Sequence, residues 1–125
     1  MNINLENADN HSIQAYSEEE IKIDSQLYKN SLILSVHELI SDWPITAIKQ
    51  LNEQTLEPLL RHVPKVILIG HDEPGQFAPL SIMQDLAKRR IGLEVMSIAA
   101  ACRTFNVLLN EHREVVLGII KKTKV

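Results

Sequence analysis

GLEVMSIAAACRTFNVLLNEHR, residues 92–113, decides the fold. It reads as a buried strand, with Leu93, Glu94, Val95 and Met96 at its heart, running directly into a helix. Ser97 is placed to cap that helix, its hydroxyl accepting from an otherwise unpaired first-turn amide. From there Ile98, Ala101, Cys102, Phe105, Leu108, Leu109 and His112 recur at helical spacing and form one stripe, the expected core face. The opposite face holds Ala99, Ala100, Arg103, Val107 and Asn110, with Asn106 and Glu111 at its edges. Its first turns are nearly as apolar as the core face. Either a second layer of the chain or a partner must cover them.

Upstream, KVILIG (residues 65–70) is a short continuous apolar run between a proline and a glycine, the pattern of a strand covered on both faces. HDEPGQF (71–77) is a loop with a Pro-Gly turn. Pro79 opens the next helix, where its missing amide costs nothing. Leu80, Met83, Leu86 and Ala87 are its expected inner face, and Lys88, Arg89 and Arg90 complement its C-terminal dipole. Downstream, VVLGII (115–120) is the last strand. The second half therefore alternates strand and helix, which implies a mixed or parallel sheet with helices packed on it.

The first third reads differently. Residues 12–17 alternate around Ile13 and Ala15, residues 18–25 around Ile21 and Ile23, and residues 31–36 carry Leu32, Ile33, Leu34 and Val36. This is an antiparallel β meander, with residues 26–30 as a hairpin region. Glu18, Glu19 and Glu20 suit a solvated edge. Residues 1–11 form a loose entry, with room for a short strand at 2–5. Residues 37–43 allow a strand toward Trp43, and Pro44 bars a helix there. A short helix is expected over 55–62, with Thr55 as its cap and Leu56, Leu59 and Leu60 inside.

The chain has 125 residues, 45% hydrophobic and 23% charged, which suits one domain with its own core: entry 1–11, meander 12–44, α/β core 45–125. A net charge of −3 without a basic patch speaks against nucleic acid as a partner. Lys121, Lys122 and Lys124 read as a solvated tail. No apolar run reaches the length of a membrane span, and no signal pattern opens the chain. A single cysteine, Cys102, excludes an intrachain disulfide. These features together suit a cytoplasmic protein.

No motif announces chemistry. His11, His37, His62, His71 and His112 have no zinc-ligand spacing, and no metal or cofactor is expected. Cys102 on the core stripe reads as packing. His112 on the same stripe is expected to be partly buried at the helix C-terminus. Two candidate sites remain. One is the outer helix face, where Arg103, Asn106 and Asn110, with Glu111 and Arg113 beyond, suit a protein partner, a homodimer contact, a carboxylate- or phosphate-bearing ligand, or an anchor for loops of the same domain. The other lies at the carboxyl ends of strands 65–70 and 93–96. There Gly70, His71, Asp72 and Ser97 suit a small molecule or an anion at the helix amides.

GLEVM, AAACRTFN, the following LL and E-x-R resemble the signature of a small α/β domain family. Its members include bacterial and archaeal proteins, the adipogenesis-associated domain protein and a mitochondrial assembly factor for respiratory complex I. KVILIG and Trp43-Pro44 match the family less specifically. The resemblance implies a single three-layer α/β domain: helices, a central mixed β-sheet and an additional β element. It implies no enzymatic activity, and for the mitochondrial relative a role in assembly through protein contacts. The matching positions are Gly70, Glu94, Met96, Arg103, Asn106, Glu111 and Arg113. Three departures stand out. Gly70-His71-Asp72 replaces a Gly-Thr-Gly type loop, Met96-Ser97-Ile98 replaces Met-Asp-Thr, and His112 replaces a glycine. The reading that follows is a binding or assembly module acting through protein contacts, with a strand-end small-molecule site as its rival.

Overall fold

The computed structural model describes residues 13–17 and 20–122. Residues 1–11 and most of the Glu18–Glu20 run lie outside them. Among the described residues there are eight strands, three α-helices and a 3-10 turn at Ile48–Gln50. β1 (Ile13–Tyr16), β2 (Ile21–Ile23) and β3 (Gln26–Tyr28) pair antiparallel in that order as a separate sheet. The hairpin turn falls earlier than expected, at Asp24 and Ser25, both with positive φ. Residues 26–28 are therefore strand. Ile13, Ile21 and Ile23 are buried, but Ala15 is exposed because the β1–β2 register slips between Ile13 and Ala15.

The main sheet runs β5-β4-β8-β6-β7. β4 (Leu32–Ser35) leaves the meander and pairs antiparallel with both β5 (Leu39–Ile40) and β8 (Val115–Ile119). β6 (Val66–Gly70) lies between β8 and β7 (Gly92–Met96), parallel to both. The α/β sheet class with an antiparallel meander is thus as the sequence predicts. The two crossovers leave β6 and β7 in opposite directions across the sheet. Their common handedness then sends α2 (Leu80–Lys88) and α3 (Ile98–Asn110) to opposite faces.

Alternation along the strands builds two cores. Leu32, Leu34, Leu68, Val115, Leu117 and Ile119 face α3 and the meander, meeting Ile98, Ala101, Cys102 and Phe105. Ile33, Ile67, Ile69 and Val116 face the other way, toward α1 (Glu53–Leu60), α2 and Trp43. Trp43 ends no strand. Its ring covers Gly118 so closely that an added Cβ would lie 2.8 Å from it, and its indole N–H donates to the Thr55 carbonyl at 2.9 Å.

Several expectations fail for local reasons. β7 is the sheet's edge, not a buried strand; its Glu94 and Val95 are exposed. α1 starts two residues early because Asn52 outcompetes Thr55 as cap: Asn52 Oδ1 accepts from Thr55 N–H while Asn52 N–H donates to Thr55 Oγ1. On α2 the inner residues are Ile82 and Leu86, and Leu80 and Met83 are exposed. Four residues separate Ala78, Ile82 and Leu86, so one row faces the sheet. Lys121 is buried rather than a solvated tail, because its N–H donates to Ser31 Oγ at 2.8 Å at the sheet's end.

Candidate functional site

The strand-end site forms at the point where the order of β6, β7 and β8 reverses, the usual place for a crevice in such sheets. The sequence brings all four predicted residues there. Gly70 lets α3 approach: a Cβ in its place would sit 2.8 Å from Ala101 Cβ and 3.1 Å from Ile98 Cα. That contact packs the start of α3 directly against the end of β6. The polar groups are then consumed by capping. Asp72 Oδ1 accepts from Ile98 N–H at 3.0 Å, and Ser97 Oγ accepts from Ala100 N–H at 3.2 Å. His71 is buried; its N–H donates to the Met96 carbonyl and its Nδ1 accepts from Glu73 N–H at 3.2 Å, leaving a neutral ring's proton on Nε2.

Two departures from the family resemblance therefore compensate. The carboxylate missing at Ser97 is supplied from the facing loop by Asp72, again at the positive end of the α3 dipole. The neighbouring Glu73 carries a different signature. Its Oε1 is buried with no hydrogen-bond partner among the described residues, between two shallow hollows bordered by His71 and Ser97 on one side and Thr46 and Lys122 on the other.

The helix-face residues do not act together. Asn106 is a clamp: its Oδ1 accepts from Ile13 N–H and its Nδ2 donates to the Ile13 carbonyl, both at 2.9 Å. Arg103, exposed, donates to the Tyr16 hydroxyl at 3.3 Å. The meander thus supplies part of the second layer that the outer face of α3 needs. Val107 stays 54% exposed, with Asn110 and Glu111 beside the helix end. Cys102 is buried in the core between α3 and the sheet, and burial pushes its thiol up to about 12.

His112 is exposed rather than half-buried. It adopts φ 59° just past α3, while Arg113 N–H reaches back to the Leu108 carbonyl and His112 N–H to that of Leu109. This is a Schellman end, in which glycine normally holds the left-handed position. Arg113 lies past that end, in a group that sequence spacing did not reveal. His37, His62, His112 and Arg113 line one cavity of about 350 Å³ at the opposite end of the sheet. His37 and His62 are 25 positions apart in the chain, and no periodicity links them. No group of three His, Cys, Asp or Glu among the described residues is placed to hold a metal ion.

Residues 13–120 match the family described as "protein of unknown function (DUF498/DUF598)". The chain belongs to that family. A 13 kDa major membrane protein of Francisella tularensis subsp. holarctica is 34% identical over 94 residues, which span 74% of this chain and 76% of that protein. A Xanthomonas campestris protein solved by NMR is 37% identical with a TM-score of 0.79, covering 87% of this chain and 83% of its own. A Bordetella pertussis protein described as a Mth938-like domain shares the fold at 19% identity and a TM-score of 0.76, with 93% and 89% covered. None of these three names speaks of adipogenesis or respiratory complex I. The Francisella relative is called a membrane protein, and among the described residues of this chain no helix is long and apolar enough to cross a membrane.

Proposed function

We propose that this domain is a binding module that works through protein contacts, with the open edge of its main sheet as the principal surface. One observation carries the reading: exposed apolar side chains occur on the edge strand β7, on the loop before α2 and on α2 itself. Phe77 is 80% exposed, Leu80 66%, Met83 48% and Val95 38%. Phe77 and Val95 border the same hollow, and Leu80 and Met83 share a face of α2. An open strand with an apolar margin suits an extended segment of a partner, which adds main-chain hydrogen bonds and seats alternate side chains. Assembly of a multisubunit respiratory complex is the instance the family resemblance implies. Val107, Asn110 and Glu111 offer a second, smaller contact on α3. The domain then acts in the cytoplasm or at a membrane surface, held there by its partner.

Co-purification at native expression tests this with wild type, Val95→Lys and Arg103→Glu. A charge on the edge strand should release a partner that wild type retains, while Arg103→Glu, which disturbs the Tyr16 contact on α3 away from that edge, should keep it. Loss with a folded Arg103→Glu alone moves the contact to α3. A wild-type protein that captures nothing and scatters light as a monomer overturns the proposal; a dimer would identify the partner as a second copy.

A second reading rests on Glu73. Its buried, unpartnered oxygen beside Asp72 suits a ligand carrying a donor, such as an amine, at the strand ends. A panel of small amines should then raise the melting temperature of wild type but not of Glu73→Gln; no shift in either removes this reading.

A further inference from the structure

We propose that the cavity at the amino-terminal ends of β6 and β8 binds a small amphipathic carboxylate, whose carboxylate pairs with Arg113. The cavity lies between the β4–β5 hairpin, the end of α1 and the end of α3, and its volume of about 350 Å³ falls in the range of small-molecule sites. Its floor is apolar: Leu59, Pro64, Leu109 and Val116, all buried. Such a floor favours a hydrocarbon body and offers little to a free phosphate.

The rim supplies the charge. Glu38 is already engaged: its Oε2 lies 2.9 Å from His62 Nε2, and its Oε1 lies 3.4 Å from Arg61, which also meets Glu57 at 3.1 Å. The Arg113 guanidinium has no hydrogen-bond or ion-pair partner among the described residues, although Glu114 borders the same space. An unmatched guanidinium beside an apolar floor is the arrangement that a carboxylate completes with two parallel hydrogen bonds. The His37 and His62 rings, stacked at 4.3 Å and 27°, form a flat side wall.

The backbone around the rim is also unusual. Val63, a β-branched residue, has φ 49°, and His112 has φ 59°. Each adjoins a rim residue, His62 and Arg113 respectively. Strain of this kind persists where the surroundings fix a useful geometry. Both of those neighbours, His62 and Arg113, line the cavity.

The test is an NMR titration of the full chain with octanoate, 1-octanol and inorganic phosphate. Octanoate should move the amides of Val36, His62, Leu109 and Val116 and bind about tenfold more tightly than octanol, the difference that one charge-assisted pair makes. Arg113→Gln should abolish that preference, Arg113→Lys should keep part of it, and Glu114→Gln should increase it; each variant's spectrum without ligand reports its fold. Octanoate shifts elsewhere, a preference unchanged in Arg113→Gln, tighter phosphate binding, or no octanoate binding at millimolar concentration would each overturn the proposal.

Discussion

Replacing Asn106 by alanine should detach the meander's anchor without unfolding the sheet. Asn106 makes both of its bonds to one residue 93 positions away, accepting from Ile13 N–H and donating to its carbonyl at 2.9 Å. In the variant both backbone groups of Ile13 lose their partner at a half-buried site. Each unmet group costs ~1–3 kcal/mol when fully buried; at half burial the pair should cost about 2 kcal/mol. For a chain of this size that is a fall in melting temperature of about 8 °C. The meander should stay docked, because Ile13, Ile21 and Ile23 are each buried in the α3-side core, and their burial stabilises by roughly 1.5–3 kcal/mol apiece. What changes is how often it opens. Hydrogen exchange of the β1 amides should accelerate about thirtyfold, while the amides of β6 and β8 should change far less. Asn106→Asp keeps the acceptor but sets a charge against the Ile13 carbonyl, so at neutral pH it should cost more than alanine, and acid should restore part of the loss. A cost below about 0.5 kcal/mol, within the range of ordinary surface changes, would refute the clamp. Equal acceleration of β1 and β6 amides would refute its local action.

His112→Gly should stabilise by about 1 kcal/mol in urea unfolding, because glycine occupies φ 59° without a Cβ penalty. Gly70→Ala should destabilise by roughly 1–3 kcal/mol through its 2.8 Å contact with Ala101, and adding Ala101→Gly should recover part of that loss in thermal unfolding. Cys102 should resist iodoacetamide at pH 8 until the chain unfolds. Its folded thiol is raised from 9.0 to about 12, so its contribution to stability is complete below 9.0 and declines as pH rises toward 12, which alkaline urea titrations will show.

How much was legible depended on whether a signal was local. The α3 stripe and its Ser97 cap were readable because helical spacing and capping chemistry are both written within a few residues. KVILIG was readable because a strand covered on both faces is apolar throughout. β7 misled because Leu93, Val95 and Met96 look buried, yet edge position depends on strand order, which no local pattern encodes. The α2 face misled because Leu80 and Met83 fit a helical period as well as Ile82 and Leu86; only packing against the sheet chooses between them. An anchoring role for Asn106 was open in the sequence, but its partner was not legible, because Ile13 lies 93 positions away. The same distance hid the His37–His62 pair, which the β4–β5 hairpin and the end of α1 bring together.

The two ends of the parallel strands are built differently, and the causes are specific residues. At the carboxyl ends Gly70 allows α3 to close on β6, and Asp72 and Ser97 then cap the helix with the groups a ligand would have met. At the amino ends no helix N-terminus takes up the polar groups. α1 stops at Leu60, Val63 turns left-handed before Pro64, and α3 stops at Asn110 with His112 in the position glycine prefers. Three chain reversals meet there without a side chain large enough to fill the space between Leu59, Leu109 and Val116. Filling it would require no change of fold, since Val36, 46% exposed at the mouth, has room for a larger residue. Val36→Phe should then raise stability if the space is only a packing defect, and should do so without altering octanoate affinity. If the cavity is a site, the same change lowers octanoate affinity whatever it does to stability, and that pair of measurements separates the two causes.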